Sequence, residues 1–296
     1  MKVFLCGVRG STAAPGPAFV RYGGHTSCVA VAHDGAHPSL VLDGGTGLRR
    51  LSDVLNGEPF QGTMLLGHLH WDHIQGVPFF TAGDRPDARV ALHLPRQEGD
   101  RRRDAFAVLA QAMSPPFFPI GPRELRGDWS FGAISEGAHS FEGFEIRAVE
   151  IPHKGGRTFG YRVSDGSGSM AYLSDHSPIQ LGPGPDGLGA YHPAALELAA
   201  GVNLLIHDGQ HTAAEFGARR SLGHSAVEYA VGLASAAGAG HLMLFHHDPT
   251  RTDDEIDAIV DGCRGGATSV SAAAEGMVVS LPVPDHNAGG LAHARA

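Results

Sequence analysis

The sequence predicts a layered α/β domain, and three features carry that expectation. Short apolar runs such as Met64-Leu65-Leu66, Val202 to Ile206 and His241 to Phe245 have the length of buried strands. Between and after them lie helix-start signals, Ser225-x-x-Glu228 and Thr252-x-x-Glu255, each a capping box ahead of a helical apolar pattern. Finally, Asp43, His68, Asp175, Asp208 and His246 each follow an apolar strand run by one or two residues, and His70 stands two beyond His68. In layered α/β architectures the strand ends converge on one edge, and their loops build the site there. Histidines placed at random would be scattered along helices as well.

Composition bounds the function. The chain has 296 residues, near the upper limit for one core, and is 42% hydrophobic, ample for a buried interior. Its net charge of −9 argues against a protein that holds nucleic acid mainly through a basic surface. A small or sequestered anion remains the expected partner. The apolar run Val3-Phe4-Leu5-Cys6 is ended by Gly7 too soon for a secretion signal or a membrane span, and no later stretch is long enough. Cys6, Cys28 and Cys263, odd in number and far apart, form neither a disulfide framework nor a cysteine metal knuckle. A reducing cytoplasm is expected.

Taken in order, residues 1 to 50 alternate strand and turn: Lys2 to Cys6, the loop Gly7 to Gly16, Ser27 to Ala32, then Ser39 to Leu42 closed by Asp43-Gly44-Gly45-Thr46-Gly47. The loop Gly7-Val8-Arg9-Gly10-Ser11 offers backbone N–H groups and Arg9 to an anion, without the lysine and spacing of a P-loop. Leu48 to Leu55 reads as a short helix stopped by Asn56-Gly57. The decisive stretch follows: Gly67-His68-Leu69-His70-Trp71-Asp72-His73-Ile74-Gln75-Gly76, directly after the strand at Met64-Leu65-Leu66. In extended chain, side chains two apart share a face, so His68 and His70 project together and the next turn delivers Asp72 and His73. Imidazoles and a carboxylate suit zinc and similar divalent ions, and four such groups exceed what one ion with an open position needs. A two-metal site is the natural reading.

Beyond it, Val90 to Leu94 is a strand whose His93 reads as a core histidine more readily than a ligand. Arg101-Arg102-Arg103 opens a helix toward Met113 with a solvated basic face. Pro115-Pro116-Phe117-Phe118-Pro119 suits a loop packed beside a pocket, one wall of a substrate site. Phe144 to Ile151 is a strand, and Phe159 to Ser164 with Met170 to Ser174 form a hairpin across Asp165-Gly166-Ser167-Gly168. The helix from about Asp253 to Gly262 completes the pattern, and residues from about 285 to 296 read as a flexible tail on a single domain of 1–284.

His-x-His-x-Asp-His after a strand resembles the signature of the metallo-β-lactamase-fold hydrolases, and Trp71 with Ile74-Gln75-Gly76 is similar to the phosphodiesterase branch, which includes tRNase Z and bacterial cyclic phosphodiesterases. The later segments follow the family's order: Asp43-Gly44-Gly45-Thr46-Gly47, His153 with Gly160-Tyr161-Arg162, Tyr172-Leu173-Ser174-Asp175, Asp208 with His224, and His246-His247-Asp248-Pro249. The resemblance implies a four-layer αββα sandwich. It implies two divalent ions, zinc first with manganese or iron as alternatives, one held by His68, His70 and His153, the other by Asp72, His73 and His246, with Asp175 bridging. His246 takes the last place by its position before Asp-Pro, and His247 competes for it. The implied nucleophile is a hydroxide between the ions, Asp72 orients or deprotonates it, and Asp208 with His224 protonates the leaving oxygen. Asp208 stands where tRNase Z has glutamate and Ala226 where it has threonine. Asp43 orients neighbouring loops and is no ligand. Arg9, Ser11 and His25 are assigned to the substrate, His25 standing where the family usually has asparagine.

The resulting expectation is a dinuclear phosphodiesterase acting on a small or cyclic phosphodiester, a cyclic nucleotide among the options. The family's tRNase Z members carry a long tRNA-gripping arm between the third and fourth motifs, whereas here 22 positions separate His153 from Asp175. With the acidic balance this places tRNA 3′ processing second, and a non-hydrolytic di-metal redox or nucleotide-binding protein behind it. By the same resemblance the chain is expected to form a homodimer.

Overall fold

The computed structural model describes residues 1–97 and 104–281. The basic triplet Arg101 to Arg103 and the tail from Asp285 lie outside the described residues. The first half of the chain runs β1 (Lys2–Gly7), β2 (Cys28–Ala32), β3 (Leu40–Leu42), α1 (Leu48–Val54), β4 (Gln61–Leu65), α2 (Trp71–Ile74), β5 (Arg89–Pro95), α3 (Ala105–Ala112) and β6 (Asp128–Ile134). The second half runs β7 (Gly137–Phe141), β8 (Phe144–Ile151), β9 (Thr158–Ser164), β10 (Ser169–Leu173), α4 (Pro193–Ala199), β11 (Leu204–Asp208), α5 (Ala213–Arg219), α6 (Val227–Ala237), β12 (His241–Phe245), α7 (Asp253–Gly262), β13 (Ser269–Ala272) and β14 (Val278–Ser280).

These strands form two seven-stranded mixed sheets, ordered β14-β1-β2-β3-β4-β5-β6 and β13-β12-β11-β10-β9-β8-β7. The last strand, β14, crosses back to pair antiparallel with β1 and so ties the end of the second half to the first sheet. Side-chain alternation explains why so many strands are apolar along their whole length: each sheet is covered on both faces. Val29 and Val31 of β2 enter the core between the sheets, while Cys28 and Ala30 enter the outer one. The inner core joins Leu42 and Leu65 of the first sheet to Phe159, Tyr161, Tyr172, Ile206 and Phe245 of the second. Outside, α1 and α3 bury Leu48, Leu51 and Leu109 against the first sheet. On the other side α4 and α6 bury Leu198, Tyr229 and Leu233 against the second. The layers are therefore helix, sheet, sheet, helix, as the resemblance implied.

Strand direction delivers the site. β3 and β4 run parallel, as do β10, β11 and β12. β8 is antiparallel to β9, which is antiparallel to β10, so β8 ends at the same edge as β10. The residues that follow β3, β4, β8, β10 and β12, and the last residue of β11, all meet there.

Several local expectations change. The strand expected over Val202 to Ile206 is β11, shifted so that His207 and Asp208 are its last members. Ser225 and Glu228 do not cap α6: the Ser225 hydroxyl donates to the His176 carbonyl, and Glu228 accepts from the Ala213 N–H. Tertiary partners outbid the local ones. The Thr252–Glu255 box forms as read. Missed elements include β6 and β7, the edge strands, whose solvent faces carry polar residues such as Ser130 and Ser140 that broke the apolar pattern. No helix among the described residues is long and apolar enough to cross a membrane.

Candidate metal centre

The loop after β4 places His68 and His70 with ring centroids 4.4 Å apart, and the short helix α2 then presents Asp72 and His73. His153 arrives from the end of β8, Asp175 from β10 and His246 from β12. Besides an overlapping set of Asp175, His224 and His246, two ligand-like sets result, His68, His70, His153 and Asp175 in one and Asp72, His73 and His246 in the other, the donor atoms of each lying within 4.8 Å of one another. Asp175 stands between them. Its Oδ2 lies 3.7 Å from His68 Nε2 and 3.5 Å from His153 Nε2, while its Oδ1 lies 3.1 Å from His73 Nε2 and 3.3 Å from His246 Nε2.

The residues fit cations at this point. His73 Nε2 and Asp175 Oδ1 are buried and close, yet neither makes a hydrogen bond, and both His68 ring nitrogens are likewise without a partner. Buried polar atoms that converge without bonding each other are directed at a common centre. The far sides of two of the rings are fixed as metal-binding imidazoles require. His73 donates through Nδ1 to Asp43 Oδ2 at 2.7 Å, and His153 through Nδ1 to the Gly223 carbonyl at 2.7 Å, which leaves each Nε2 as an acceptor toward the centre.

Electrostatics agree for three of the rings and differ at His73, where burial works against charge but Asp175, Asp43 and Asp72 outweigh it and raise its basicity well above the ordinary histidine range. Burial, then His73, holds the basicity of His68 well below the ordinary histidine range against the pull of Asp175. Burial likewise lowers His70 and His153, so these rings are neutral, the state that binds metal. Burial opposes ionisation of Asp175, but His246, His73 and His68 outweigh it and hold its carboxyl well below the usual carboxylate range. Asp72 is held low in the same way, by His73 and His246.

Asp43 stands behind the centre, not in it. The fully buried carboxylate accepts from the Gly67 N–H at 2.6 Å, His73 Nδ1 at 2.7 Å and the Tyr172 hydroxyl at 2.8 Å. It therefore joins both sheets at the site's edge. Of the five non-glycine residues with positive φ among those described, three belong here: Ser11 at 62°, Asp43 at 63° and His246 at 57°. Such backbone is held only where its surroundings demand it.

Beside the centre, Asp208 Oδ1 accepts from the Gln210 N–H and Oδ2 from the His176 N–H, and His224 Nδ1 donates to Asp208 Oδ2 at 3.0 Å. Burial works against charge on His224, but Asp208 outweighs it, with Asp175 and Asp72 adding, and raises its pKa to about 9. A cavity of about 380 Å³ opens over the centre, lined by Ser11, Leu69, His70, Trp71, Asp72, Asp175 and His224.

The three substrate assignments fare differently. Ser11 lines the cavity; its N–H donates to Asp72 Oδ2 at 2.7 Å and its hydroxyl accepts from Gln210 Nε2 at 3.0 Å. Arg9 does not face the substrate. It is 0% exposed, with Nε donating to the Gly23 carbonyl at 2.7 Å, Nη1 to the Arg251 carbonyl at 2.7 Å, and Nη2 lying 3.6 Å from Asp253. Residue-to-residue spacing in a loop says nothing of which side it turns, and here the guanidinium turned inward to tie the N-terminal loop to α7. Arg9→Ala is expected to cost about 2 to 5 kcal/mol of stability by leaving the Gly23 and Arg251 carbonyls without their partner. Thermal denaturation checks it, and an unchanged Tm would refute the brace. His25 is also outside the cavity lining: its ring meets Thr46 Oγ1 at 3.3 Å, its N–H is bound by Glu275, and its carbonyl accepts from Val8 and Arg9 N–H groups. It holds the loop together instead of reading substrate.

His246 and not His247 faces the centre. His247 Nε2 bonds the Ala273 carbonyl at 2.9 Å, away from the ligand sets. His93 is half-buried, packs against Phe141 with ring centroids 4.8 Å apart, and belongs to none of the ligand-like sets. Sequence reasoning passed over Gln210, His176 and Gly10, which support the site from behind. A Cβ on Gly10 would stand 2.3 Å from His246 Nδ1. Gly10→Ala is therefore expected to displace the His246 ring and weaken metal binding about 10- to 100-fold, the scale of losses when a ligand's support is removed. Metal titration by calorimetry tests this, and wild-type affinity would show that the ring can yield.

A family model described as "Beta-lactamase superfamily domain" matches residues 49–247, more than half of the chain. The chain belongs to this superfamily. Among curated relatives, Ribonuclease BN of Escherichia coli O1:K1 is 26% identical over 160 residues, covering 53% of this chain and 43% of its own. The chain thus spans less than half of that relative's length. Ribonuclease Z of Haloarcula marismortui is 24% identical over 303 residues, covering 88% of this chain and 93% of its own. Three solved structures share the fold. The metallo-beta-lactamase fold protein YhfI from Bacillus subtilis has a TM-score of 0.68 at 20% identity, covering 94% of this chain and 97% of that one. A diphosphatase of the PhnP family has a TM-score of 0.66 at 18% identity, covering 95% and 98%. Human tRNase Z, short form, has a TM-score of 0.64 at 19% identity, covering 96% and 100%. This β-lactamase superfamily member therefore carries, at the edge where its strands end, His/Asp sets that could hold metal ions.

Proposed function

We propose that the protein is a metal-dependent phosphodiesterase acting on a small or cyclic phosphodiester, with two divalent ions held by the two ligand sets and shared through Asp175. The observation that carries this is the Asp208–His224 pair at the cavity: a histidine that lines it and is held through Nδ1 by a buried carboxylate is placed to give a proton to a departing alkoxide. Two such ions supply Lewis acidity toward a phosphoryl oxygen and a water acidified enough to attack near neutral pH. The chain's own residues do the rest. Ser11 fixes Asp72 through its N–H, so that the carboxylate orients what lies before it. Asp208 fixes the tautomer of His224 and stabilises its charge.

A second reading, tRNA 3′ processing, draws on the Ribonuclease Z and tRNase Z likenesses. Against it stand the net charge of −9 and the stretch between His153 and Asp175, which the compact β9–β10 hairpin occupies, leaving little chain for an RNA-gripping arm. The experiment is product formation from a panel of 2′,3′- and 3′,5′-cyclic nucleotides, bis(p-nitrophenyl) phosphate and a tRNA precursor with a 3′ trailer, with Zn²⁺ or Mn²⁺ added. Turnover of a small diester that His68→Ala abolishes supports the proposal. Cleavage of the tRNA precursor alone replaces it with the second reading, and silence of the metal-loaded protein on all substrates rejects both.

A further inference from the structure

A second cavity adjoins the first. It measures about 420 Å³, and its walls are Trp71, Ile74, Phe79, Met113, Phe117 and neighbouring apolar side chains. Three of these rings are turned to solvent: Trp71 is 76% exposed, Phe79 64% and Phe117 82%. Exposed aromatics gathered around a concavity mark binding sites more often than chance, since each alone is a cost in water.

The position of Trp71 identifies the occupant. It lines both this cleft and the metal cavity. In the chain it stands between His70 and Asp72, at the first residue of α2, and Ile74 and Gln75 from the same helix continue the cleft wall. A group attached to a phosphate at the centre therefore passes over Trp71 into the cleft. The cleft offers ring faces and few polar atoms. Its polar side chains are two amides, Gln75, whose Nε2 donates to Thr26 Oγ1 at 3.4 Å, and the exposed Gln111. It can hold a flat group by stacking but has little with which to read hydrogen-bonding edges. Its volume is that of a small-molecule site, and it is concave, unlike the broad flat surface another protein chain needs.

We propose that this cleft is the subsite for a flat apolar substituent of the substrate, so that the favoured phosphodiesters carry an aryl or similar ring on one ester oxygen. This rests on the phosphodiesterase reading for its chemistry, but the binding it predicts can be measured alone. In a Trp129→Phe background, where Trp71 is the remaining tryptophan, Zn²⁺-loaded protein is titrated with benzylphosphonate and with methylphosphonate, and fluorescence is followed. The benzyl compound is expected to quench Trp71 and to bind at least tenfold tighter, and Phe117→Ala with Phe79→Ala should bring the two affinities within about threefold. In parallel, hydrolysis of benzyl p-nitrophenyl phosphate and methyl p-nitrophenyl phosphate, which share a leaving group, should favour the benzyl diester in kcat/KM by at least tenfold. Binding preference without turnover of either diester keeps the subsite and removes the phosphodiesterase reading. Equal affinities, or a preference that the double phenylalanine variant leaves intact, overturn the subsite. So does sedimentation showing a dimer that the double variant dissociates while ligand preference is unchanged, since a second copy would then cover the cleft.

Discussion

Asp175→Asn is expected to lower turnover of a phosphodiester by about 10³-fold or more, the several kcal/mol that metal-assisted charge stabilisation contributes, and to reduce bound metal below the wild-type amount. The reason is geometric. Asp175 is buried and its two oxygens face different ligand sets, Oδ2 toward His68 and His153, Oδ1 toward His73 and His246. An asparagine fills the same space but offers one neutral oxygen and an amide that repels a cation, so the change removes charge without making a cavity. Metal content by elemental analysis and kcat/KM measured on the same preparation test the expectation. If the variant holds two ions per chain and turns over normally, Asp175 does not join the two sets and the proposed centre is wrong. A loss confined to kcat with metal retained would instead make Asp175 an orienting group.

Asp43→Ala should be the most destabilising substitution at the site, although Asp43 is itself no proposed ligand. It would strand the Gly67 N–H, His73 Nδ1–H and Tyr172 hydroxyl, each buried and each now bonded to this carboxylate. An orphaned buried donor costs about 1 to 3 kcal/mol, so a total of about 3 to 5 kcal/mol is expected, or a fall in Tm of roughly 10 °C for a chain of this size. Asp43→Asn keeps one acceptor and should fall between. Because His73 would lose the bond that fixes its tautomer, metal affinity should also weaken about 10- to 100-fold. Thermal denaturation of metal-free protein isolates the first effect, and metal titration below the unfolding temperature measures the second. A Tm within 2 °C of wild type would refute the role of Asp43 as the brace between the sheets.

Much of this was legible in the sequence because period and position carry physical meaning. Two residues of spacing on extended chain put His68 and His70 on one face, and an apolar run followed by an acid or histidine marks a strand end, wherever in the chain it occurs. Those rules picked out His68, His70, Asp72, His73, Asp175 and a histidine after the last apolar strand, whereas His153 as a ligand, the choice of His246 and the place of Asp43 behind the centre came from the family resemblance. The Thr252–Glu255 cap was equally readable, being satisfied within four residues.

The exceptions have one cause. Ser225 and Glu228 carry the same local signal, yet His176 and Ala213, distant in sequence, offered them better partners. Arg9 sits in a loop that looked ready for an anion, and the carbonyls of Gly23, Asp248 and Arg251 took its guanidinium instead. His246 and His247 are adjacent and chemically identical, and only the left-handed backbone at His246, with φ at 57°, decides which ring meets Asp175 and which turns to Ala273. The sequence by itself therefore determined the strand ends, the donor residues and the layered architecture, because these follow from covalent spacing and from which faces must be buried. The tertiary structure alone decided which way each side chain turned, which partner each buried polar group found, and that Trp71 joins an apolar cleft to the metal cavity, because those depend on contacts between residues that the chain order leaves far apart.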